Sequence, residues 1–524
     1  MKKFISIFSA AVALVMSVAS CVQDLTIKPE ELDPSIKLPE QVLNTPEAFN
    51  QLLAKCYQGL ACSGSDGQDG GPDISGVDGG YGQYIRAMFH LQCLSTDEAV
   101  CCWNDQTLYD IHNLCWSTSD TFVAAAYYRV FFQVGLCNEF IRQAGRSHLA
   151  IPPQWIAEAR ALRLLSYYHA IDLFGNVPFF TEQNSVGAEG PDLKKRGDLW
   201  DWMVNEAKEL TSSQSALSLP GQAEYGRIDQ GAVKMILAKL YLNAQIWKDP
   251  AANYFQECGD LCMEIIETYG DHLDTPYSDL FSADNHRCVA STTYGSQGEI
   301  IFAVPQDGLN IRSYGVTNYI IFASTGGDMD AAGQMGISSG WGGLSLTKAF
   351  TDKFEAGDAR AMFYTGHGQE ISDISDFKAG GYKSMKFRNI NHDGSAAQEA
   401  GFVDTDFPVF RLADAYLMAA ECQARGAANI TGSVYLNKVR HRAGLGDTSL
   451  TLDNILDERA REFYHELSRR QDLIRFGAFT TDKYLWDYKG GVKEGKAVDA
   501  KYNLYPLCSS DVNANGKLVQ NPGY

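Results

Sequence analysis

Apolar residues recur at helical spacing in several separate stretches of the chain. The first stretch follows Thr45, a good N-cap residue, and Pro46, which suits the first helical position. Its apolar positions fall at i, +3, +4, +7, +8 and +11, and they are Phe49, Leu52, Leu53, Cys56, Tyr57 and Leu60. This spacing predicts a helix with one buried face.

Other stretches carry apolar or small residues on two faces. The clearest runs from Pro153 to a stop at Gly175, and residues 231–247, 410–426 and 456–477 have a similar texture. The last of these places Leu456, Ala460, Phe463 and Leu467 on one face of a single predicted helix. Helices that are apolar on two sides pack on two sides, as in a helical solenoid. The sequence therefore predicts a mainly α fold, a tetratricopeptide-like scaffold of helical pairs with long irregular loops.

The helical period mostly fades between residues 277 and 408, where Gly, Ser, Thr, Asp and aromatic residues dominate. A long irregular region inside a compact protein is usually functional, so this region is the predicted binding region. Trp341 lies within it, in the sequence SGWGG. We expect the neighbouring glycines to leave the face of its ring clear.

The same loop contains Gly336-x-Ser338-x-Gly340, which matches the nucleophile elbow of a hydrolase. That elbow needs a strand before the serine and a helix after it. Because the alternating α/β pattern of such hydrolases is missing, we interpret the match as a coincidence. Asp97 and Glu98 are adjacent acids, whereas a glycosidase needs two carboxylates that face each other across a cleft. His465 and Glu466 are interpreted as a solvated or ion-paired face of a charged helix.

The N-terminus is typical of an exported lipoprotein. Lys2 and Lys3 precede an apolar run from Phe4 to Val18, and small residues then lead to Cys21. Residues 1–20 are therefore predicted to be a signal peptide, with Cys21 as the lipidated first residue of the mature chain. The alternative is an ordinary signal cleaved near residue 19. Residues 21–44, which contain three prolines, are predicted to form an extended tether, and residues 45–524 the folded domain.

Composition narrows the choice of partners. The chain has 524 residues, 45% of them hydrophobic, and a formal net charge of -20. Such a charge disfavours nucleic acid and anionic membrane surfaces as partners. The 13 cysteines have no zinc-site spacing, and most are predicted to be small buried hydrophobic residues.

A Gly- and Asp-rich segment spans residues 61–81 and contains Asp66, Asp69, Asp73 and Asp78. These carboxylates could bind a structural calcium ion, although their spacing is not that of an EF-hand loop. A solvated loop is the favoured interpretation. No other metal site and no cofactor is predicted from the sequence.

Six blocks of the sequence, in order, resemble the SusD/RagB family of outer-membrane glycan-binding lipoproteins. The blocks are EARALRLLSYYHAIDLFGNVPFF, GRIDQGAVKMILAKLYLNA, FPVFRLADAYLMAAE, LNKVRHRAG, ERAREFYHELSRRQDLIRFG and the tail YPLCSSDVNANGKLVQNPGY. The resemblance covers residues 21–524. It implies a non-catalytic protein at the cell surface, held to the outer membrane by its lipid. It also implies a SusC-like TonB-dependent transporter as the partner.

The resemblance also implies a glycan site made of an aromatic arc and a few polar groups. Position by position, the matching residues are Asp78, Arg86, Trp103, Gln106, Tyr314 and Trp341. The family pattern departs at Cys101, where a tryptophan is expected, and we expect Trp103 to take over that role. A flat aromatic ring can cover the apolar C–H face of a sugar, while the polar groups bond its hydroxyls.

The expected ligand is an oligosaccharide of starch or a related α-glucan. Three alternatives stay open at this point. The same scaffold could bind another glycan, such as dextran, or a peptide. The protein could instead be a surface glycoside hydrolase, or a lipoprotein that contacts the transporter and no glycan.

Overall fold

The computed structural model describes residues 39–524, apart from residues 66, 69, 185, 186, 188, 292–295 and 379. The predicted signal peptide, Cys21 and most of the predicted tether lie outside the described residues. Two of the four candidate calcium ligands, at positions 66 and 69, also lie outside them.

Helices make up most of the regular structure. In chain order, α1 to α9 are Pro39–Val42, Pro46–Ala61, Tyr84–Gln92, Gln106–His112, Thr121–Arg146, Pro153–Leu173, Arg196–Leu210, Gln230–Leu242 and Ala244–Trp247. Helices α10 to α18 are Phe255–Tyr269, Val316–Ser324, Ala331–Met335, Lys348–Thr351, Leu412–Ala424, Gly432–Arg442, Leu452–Phe463, Arg469–Arg475 and Ser509–Ala514. Short 3-10 helices occur at Tyr277–Phe281, Asn285–Cys288, Lys489–Gly491 and Ala500–Asn503.

The strands are short and pair two at a time. Strands β1 to β5 are Ala99–Cys101, Val177–Phe179, Asp192–Lys194, Ala290–Ser291 and Ser296–Gln297. Strands β6 to β10 are Ile300–Val304, Leu344–Leu346, Phe363–Tyr364, Lys383–Ser384 and Phe407–Arg411. The antiparallel pairs are β1 with β7, β2 with β3, β4 with β5, β6 with β10 and β8 with β9.

The mainly α, tetratricopeptide-like scaffold is confirmed. Helix α2 begins as predicted, because the Thr45 hydroxyl accepts a hydrogen bond from the Ala48 N–H at 3.2 Å. Helix α6 is buried on almost every side from Ala157 to Leu173, and Gly175 follows it with a φ of 71°. Helix α5 packs on α6, α8 on α10, and α14 on both α10 and α15. These two-sided contacts explain the two apolar faces seen in the sequence.

The single helix predicted across residues 456–477 is wrong. Helix α16 ends at Phe463, and α17 begins only at Arg469. Between them, His465 and Leu467 adopt left-handed backbone conformations, with φ of 62° and 65°. The break lets the Glu466 carboxylate reach Lys386 at 2.5 Å and Arg411 at 2.6 Å. The buried ion pairs therefore override a continuous helical pattern.

The interpretation of His465 and Glu466 as a solvated helix face is wrong for the same reason. The His465 ring is buried, with its centroid 5.3 Å from that of Phe89. The sequence-based interpretation was right that Glu466 is ion-paired. Its side chain, however, lies inside the protein, and the residue belongs to no helix.

Three further details differ from the sequence-based expectations. The predicted helix over residues 231–247 is divided at Asn243 into α8 and α9. The short helix α1 lies within the segment predicted to be an extended tether. Helix α11 is a fully buried element inside the predicted irregular region. The cysteines behave as predicted, since ten of the twelve described ones are buried.

Candidate functional site

The short β1–β7 ladder brings two distant segments together. Cys101 pairs with Leu344, so the residues after β1 run beside the residues before β7. The Cys102 N–H donates to the Gly343 carbonyl at 2.8 Å, and the Trp103 indole N–H donates to the Gly342 carbonyl at 2.8 Å. The ladder thereby places the Trp103 ring 6.3 Å from the Trp341 ring, with 55° between their planes.

Helix α11 supports the other side of this arrangement. The Trp341 N–H donates to the Phe322 carbonyl at 2.7 Å, and the two rings lie 5.0 Å apart. Tyr314, two residues before the helix, meets Trp341 edge to face with centroids 5.8 Å apart. Trp103, Trp341 and Tyr314 are each half-buried, and together they form what we call the aromatic arc. One side of the arc is packed on the core, which leaves part of each ring accessible.

The glycines around Trp341 let the loop approach its neighbours closely. Gly342 and Gly343 have φ of 70° and 94°, conformations that favour glycine. A Cβ at Gly340 would collide with the Thr325 carbonyl, and a Cβ at Gly343 would collide with the Trp103 indole. The glycines therefore allow the loop to lie against α11 and against Trp103.

Arg86 and Asp78 both form hydrogen bonds with the backbone of Gly80. The Arg86 guanidinium donates to the carbonyls of Gly80 at 2.6 Å and Tyr314 at 2.9 Å, and it lies 4.3 Å from the centroid of Tyr319. The Asp78 carboxylate accepts from the Gly80 N–H at 2.6 Å. Asp78 is exposed, whereas Arg86 is only 5% exposed.

Burial lowers the pKa of the Arg86 guanidinium to about 10, so the group stays charged at neutral pH. Its two backbone contacts fix the position of Tyr314 in the arc. The side chain accordingly acts as an anchor beneath the arc, while Asp78 faces solvent at its edge.

Gln106 and Cys101 lie on either side of Trp103. Gln106 is exposed at the start of α4, and its amide donates to Asp110 at 2.8 Å. Cys101 is buried beside Tyr319, and burial raises the pKa of its thiol to about 11. Cys101, the position at which the family pattern has a tryptophan, is therefore a core residue in this chain.

Sequence reasoning missed several rings that surround the arc. Phe402 lies 5.8 Å from Tyr314, and the Arg312 guanidinium lies 4.7 Å from the Phe402 centroid. Phe377 contacts the backbone beside Trp341, since a Cβ at Gly342 would lie 2.8 Å from its ring. These residues come from loops without any periodic pattern, so the sequence carried no signal that could place them.

Comparison with known proteins identifies the fold family. The starch-binding protein SusD of Bacteroides thetaiotaomicron is 32% identical to the chain over 99% of it and 98% of that relative. The chain belongs to the SusD family. Residues 362–524 also match the model of the SusD family directly.

Solved structures share the fold of this chain. One, a SusD superfamily protein from Parabacteroides distasonis, covers 93% of this chain and all of its own length, with a TM-score of 0.68 and 22% identity. Another is the surface glycan-binding protein A of Bacteroides thetaiotaomicron, solved in complex with laminarihexaose. It covers 91% of this chain and 99% of its own, with a TM-score of 0.67 and 20% identity.

The candidate catalytic groups of this SusD-family chain do not form a cleft. Asp97 and Glu98 are both buried, and Asp97 is paired with Arg469 at 2.7 Å. Burial together with the neighbouring Asp97 raises the pKa of Glu98 to about 8. Ser338 follows helix α12 and precedes strand β7, the reverse of the strand-then-helix order that a nucleophile elbow requires.

Among the described residues of the Asp-rich segment, Asp73 is engaged by two cations, Lys55 at 3.1 Å and Arg129 at 2.8 Å. In the part of the chain that the structure describes, no three His, Cys, Asp or Glu side chains converge to hold a metal ion. Within the same described ranges, none of the helices is both long and apolar enough to cross a bilayer.

Proposed function

We propose that this SusD-family chain binds an α-glucan oligosaccharide, of starch or a related polymer, and does not cleave it. The observation that carries the proposal is the aromatic arc, three accessible rings whose neighbouring centroids lie 5.8 and 6.3 Å apart. Flat rings bury the C–H faces of sugars with little loss of side-chain entropy. The starch-binding name of a relative that matches almost the full chain supports the same ligand class.

The polar residues have separate roles in this proposal. Asp78 and Gln106 are exposed, and each has further capacity to bond sugar hydroxyls. Arg86 contributes as a positioning residue, because its guanidinium holds the Tyr314 backbone. Trp103 supplies the ring that the family pattern would have at Cys101.

The proposal also includes delivery of the bound oligosaccharide to a SusC-like TonB-dependent transporter. A lipid on Cys21 would hold the protein at the outer-membrane surface, with residues 21–44 as the tether. The proposal includes no cofactor and keeps the interpretation of the Asp-rich segment as a solvated loop.

Calorimetry with a panel of oligosaccharides tests the ligand class. We expect maltoheptaose to bind, and binding to none of the α-glucans tested would refute the proposed specificity. A different glycan is the second candidate, since a solved structure of the same fold contains laminarihexaose. Laminarihexaose and an isomaltooligosaccharide therefore belong in the panel. Release of shortened products at enzymatic rates would refute binding without cleavage.

A further inference from the structure

The ring of Phe377 is the most exposed phenylalanine side chain of the described residues, at 49%. It belongs to a loop over residues 371–380 that is closed at its base by a bridge between Ile371 and Gly380. Single exposed apolar side chains are common on protein surfaces, so exposure alone assigns no role to this ring. Its surroundings decide the question.

The loop is fixed on the same strand that positions Trp103. Ile371 and Ile374 are buried against Val100 and Cys102, on and just after β1. The Tyr488 hydroxyl donates to the Ser372 carbonyl at 2.7 Å, and the Ser345 hydroxyl of β7 donates to the Gly380 carbonyl at 3.0 Å. The β1–β7 ladder thus carries Phe377 as well as Trp103 and Trp341.

Phe377 and Trp103 contact the same short piece of backbone. A Cβ at Gly342 would lie 2.8 Å from the Phe377 Cζ, and a Cβ at Gly343 would lie 3.3 Å from its Cε2. That same Gly343 Cβ would overlap the Trp103 indole. The two rings therefore both lie beside Gly343, where Trp103 is half-buried and Phe377 is exposed.

We infer that Phe377 forms a fourth sugar platform, which extends the aromatic arc beyond Trp103 for an additional glucose unit of the ligand. This inference rests on the proposed function of the arc. Phe377 lies more than two hundred residues after Cys101 in the sequence. Cys101, where the family pattern has a tryptophan, is buried in the core and offers no ring to a ligand. Asp373 and Asp376 of the same loop are exposed and retain acceptor capacity for the hydroxyls of that unit.

The test is calorimetry of the purified protein with maltotriose and with maltoheptaose. The variants are Phe377→Ala, Phe377→Leu and Phe377→Trp. The matched control is Tyr225→Ala, because Tyr225 is also 49% exposed but lies beside His286, with 6.1 Å between the ring centroids.

We expect Phe377→Ala and Phe377→Leu to raise the Kd for maltoheptaose roughly three- to tenfold, and the Kd for maltotriose less than about twofold. Phe377→Trp should retain tight binding, and Tyr225→Ala should leave both affinities unchanged. The leucine variant keeps an apolar side chain in the loop, so it separates loss of a flat ring from loss of loop packing.

Wild-type affinity in both Phe377→Ala and Phe377→Leu would overturn the fourth platform, and the arc would then stand alone. Equal losses for the two ligand lengths, or an equal loss in Tyr225→Ala, would also contradict it. Failure of the wild-type protein to bind either ligand would instead refute the proposed function, and the fourth platform with it.

Discussion

The indole N–H of Trp103 donates a hydrogen bond to the carbonyl of Gly342, 2.8 Å away and 239 positions further along the chain. Gly342 directly follows Trp341, so this bond ties the Trp103 ring to the backbone segment that carries Trp341. The position of each ring therefore depends on the other segment, and a change in either segment should be measurable as a change in ligand affinity.

Gly343→Ala should weaken oligosaccharide binding, because the new Cβ would push the Trp103 indole from its place. Gly357→Ala is the matched control, since Gly357 has a similar φ of 88° with open space around its Cα. Both substitutions should cost about 1–2 kcal/mol of stability from strain at a positive φ. Calorimetry should show loss of affinity in Gly343→Ala alone, and equal affinities in the two variants would contradict the role of Trp103.

Arg86→Lys should loosen Tyr314, because the shorter lysine side chain does not extend as far as the Nη1 atom that bonds Gly80 and Tyr314, and it loses the planar contact with the Tyr319 ring. We expect a loss of about 1–3 kcal/mol in the free energy of unfolding, together with weaker glycan binding. Thermal unfolding and calorimetry on the same samples measure both effects. Unchanged affinity in a destabilised variant would separate Arg86 from the site.

Glu98 should make stability depend on pH. Burial and the neighbouring Asp97 raise its pKa from 4.5 to about 8, so the folded protein keeps a proton that the unfolded chain releases. The free energy of unfolding should therefore fall as the pH rises from about 4.5 to 8. Glu98→Gln removes this titration and should become more stable relative to the wild type as the pH rises, by on the order of a few kcal/mol.

Urea unfolding at pH 5 and pH 8 measures this difference, with the exposed Glu267→Gln as the control. A difference between Glu98→Gln and the wild type that is the same at both pH values would show that Glu98 has no raised pKa.

Ser338→Ala should change neither affinity nor the glycan itself, because Ser338 is exposed in a loop between α12 and β7. Incubation of wild type and variant with maltoheptaose, followed by chromatography, should show intact ligand in both. Products that form with the wild type and disappear in Ser338→Ala would restore the nucleophile elbow.

The helical scaffold was predictable because its signals are local. The Thr45 cap and the two-sided helix α6 follow from short-range spacing, and the structure confirms both. The break at His465 was not predictable, since left-handed conformations at His465 and Leu467 depend on buried partners such as Lys386.

The aromatic arc also depends on long-range contacts that the local sequence does not reveal. Its residues could be proposed through resemblance to a family, but no local pattern indicated that Trp103 contacts Trp341. That contact depends on strands of three residues each, which are too short to give a period. Phe377 and Phe402 lie in no motif of the sequence, and only the folded chain brings them close to residues of the arc.

The central claim is that the arc binds the oligosaccharide, and Trp341→Ala tests it most directly. Calorimetry with maltoheptaose should show at least a tenfold loss of affinity, about 1.4 kcal/mol. The unfolding transition should remain cooperative, with a lower midpoint because the ring no longer packs on Phe322. Trp341→Phe should retain part of the binding, and Tyr225→Ala should bind as the wild type does. An affinity in Trp341→Ala equal to that of the wild type would contradict the account.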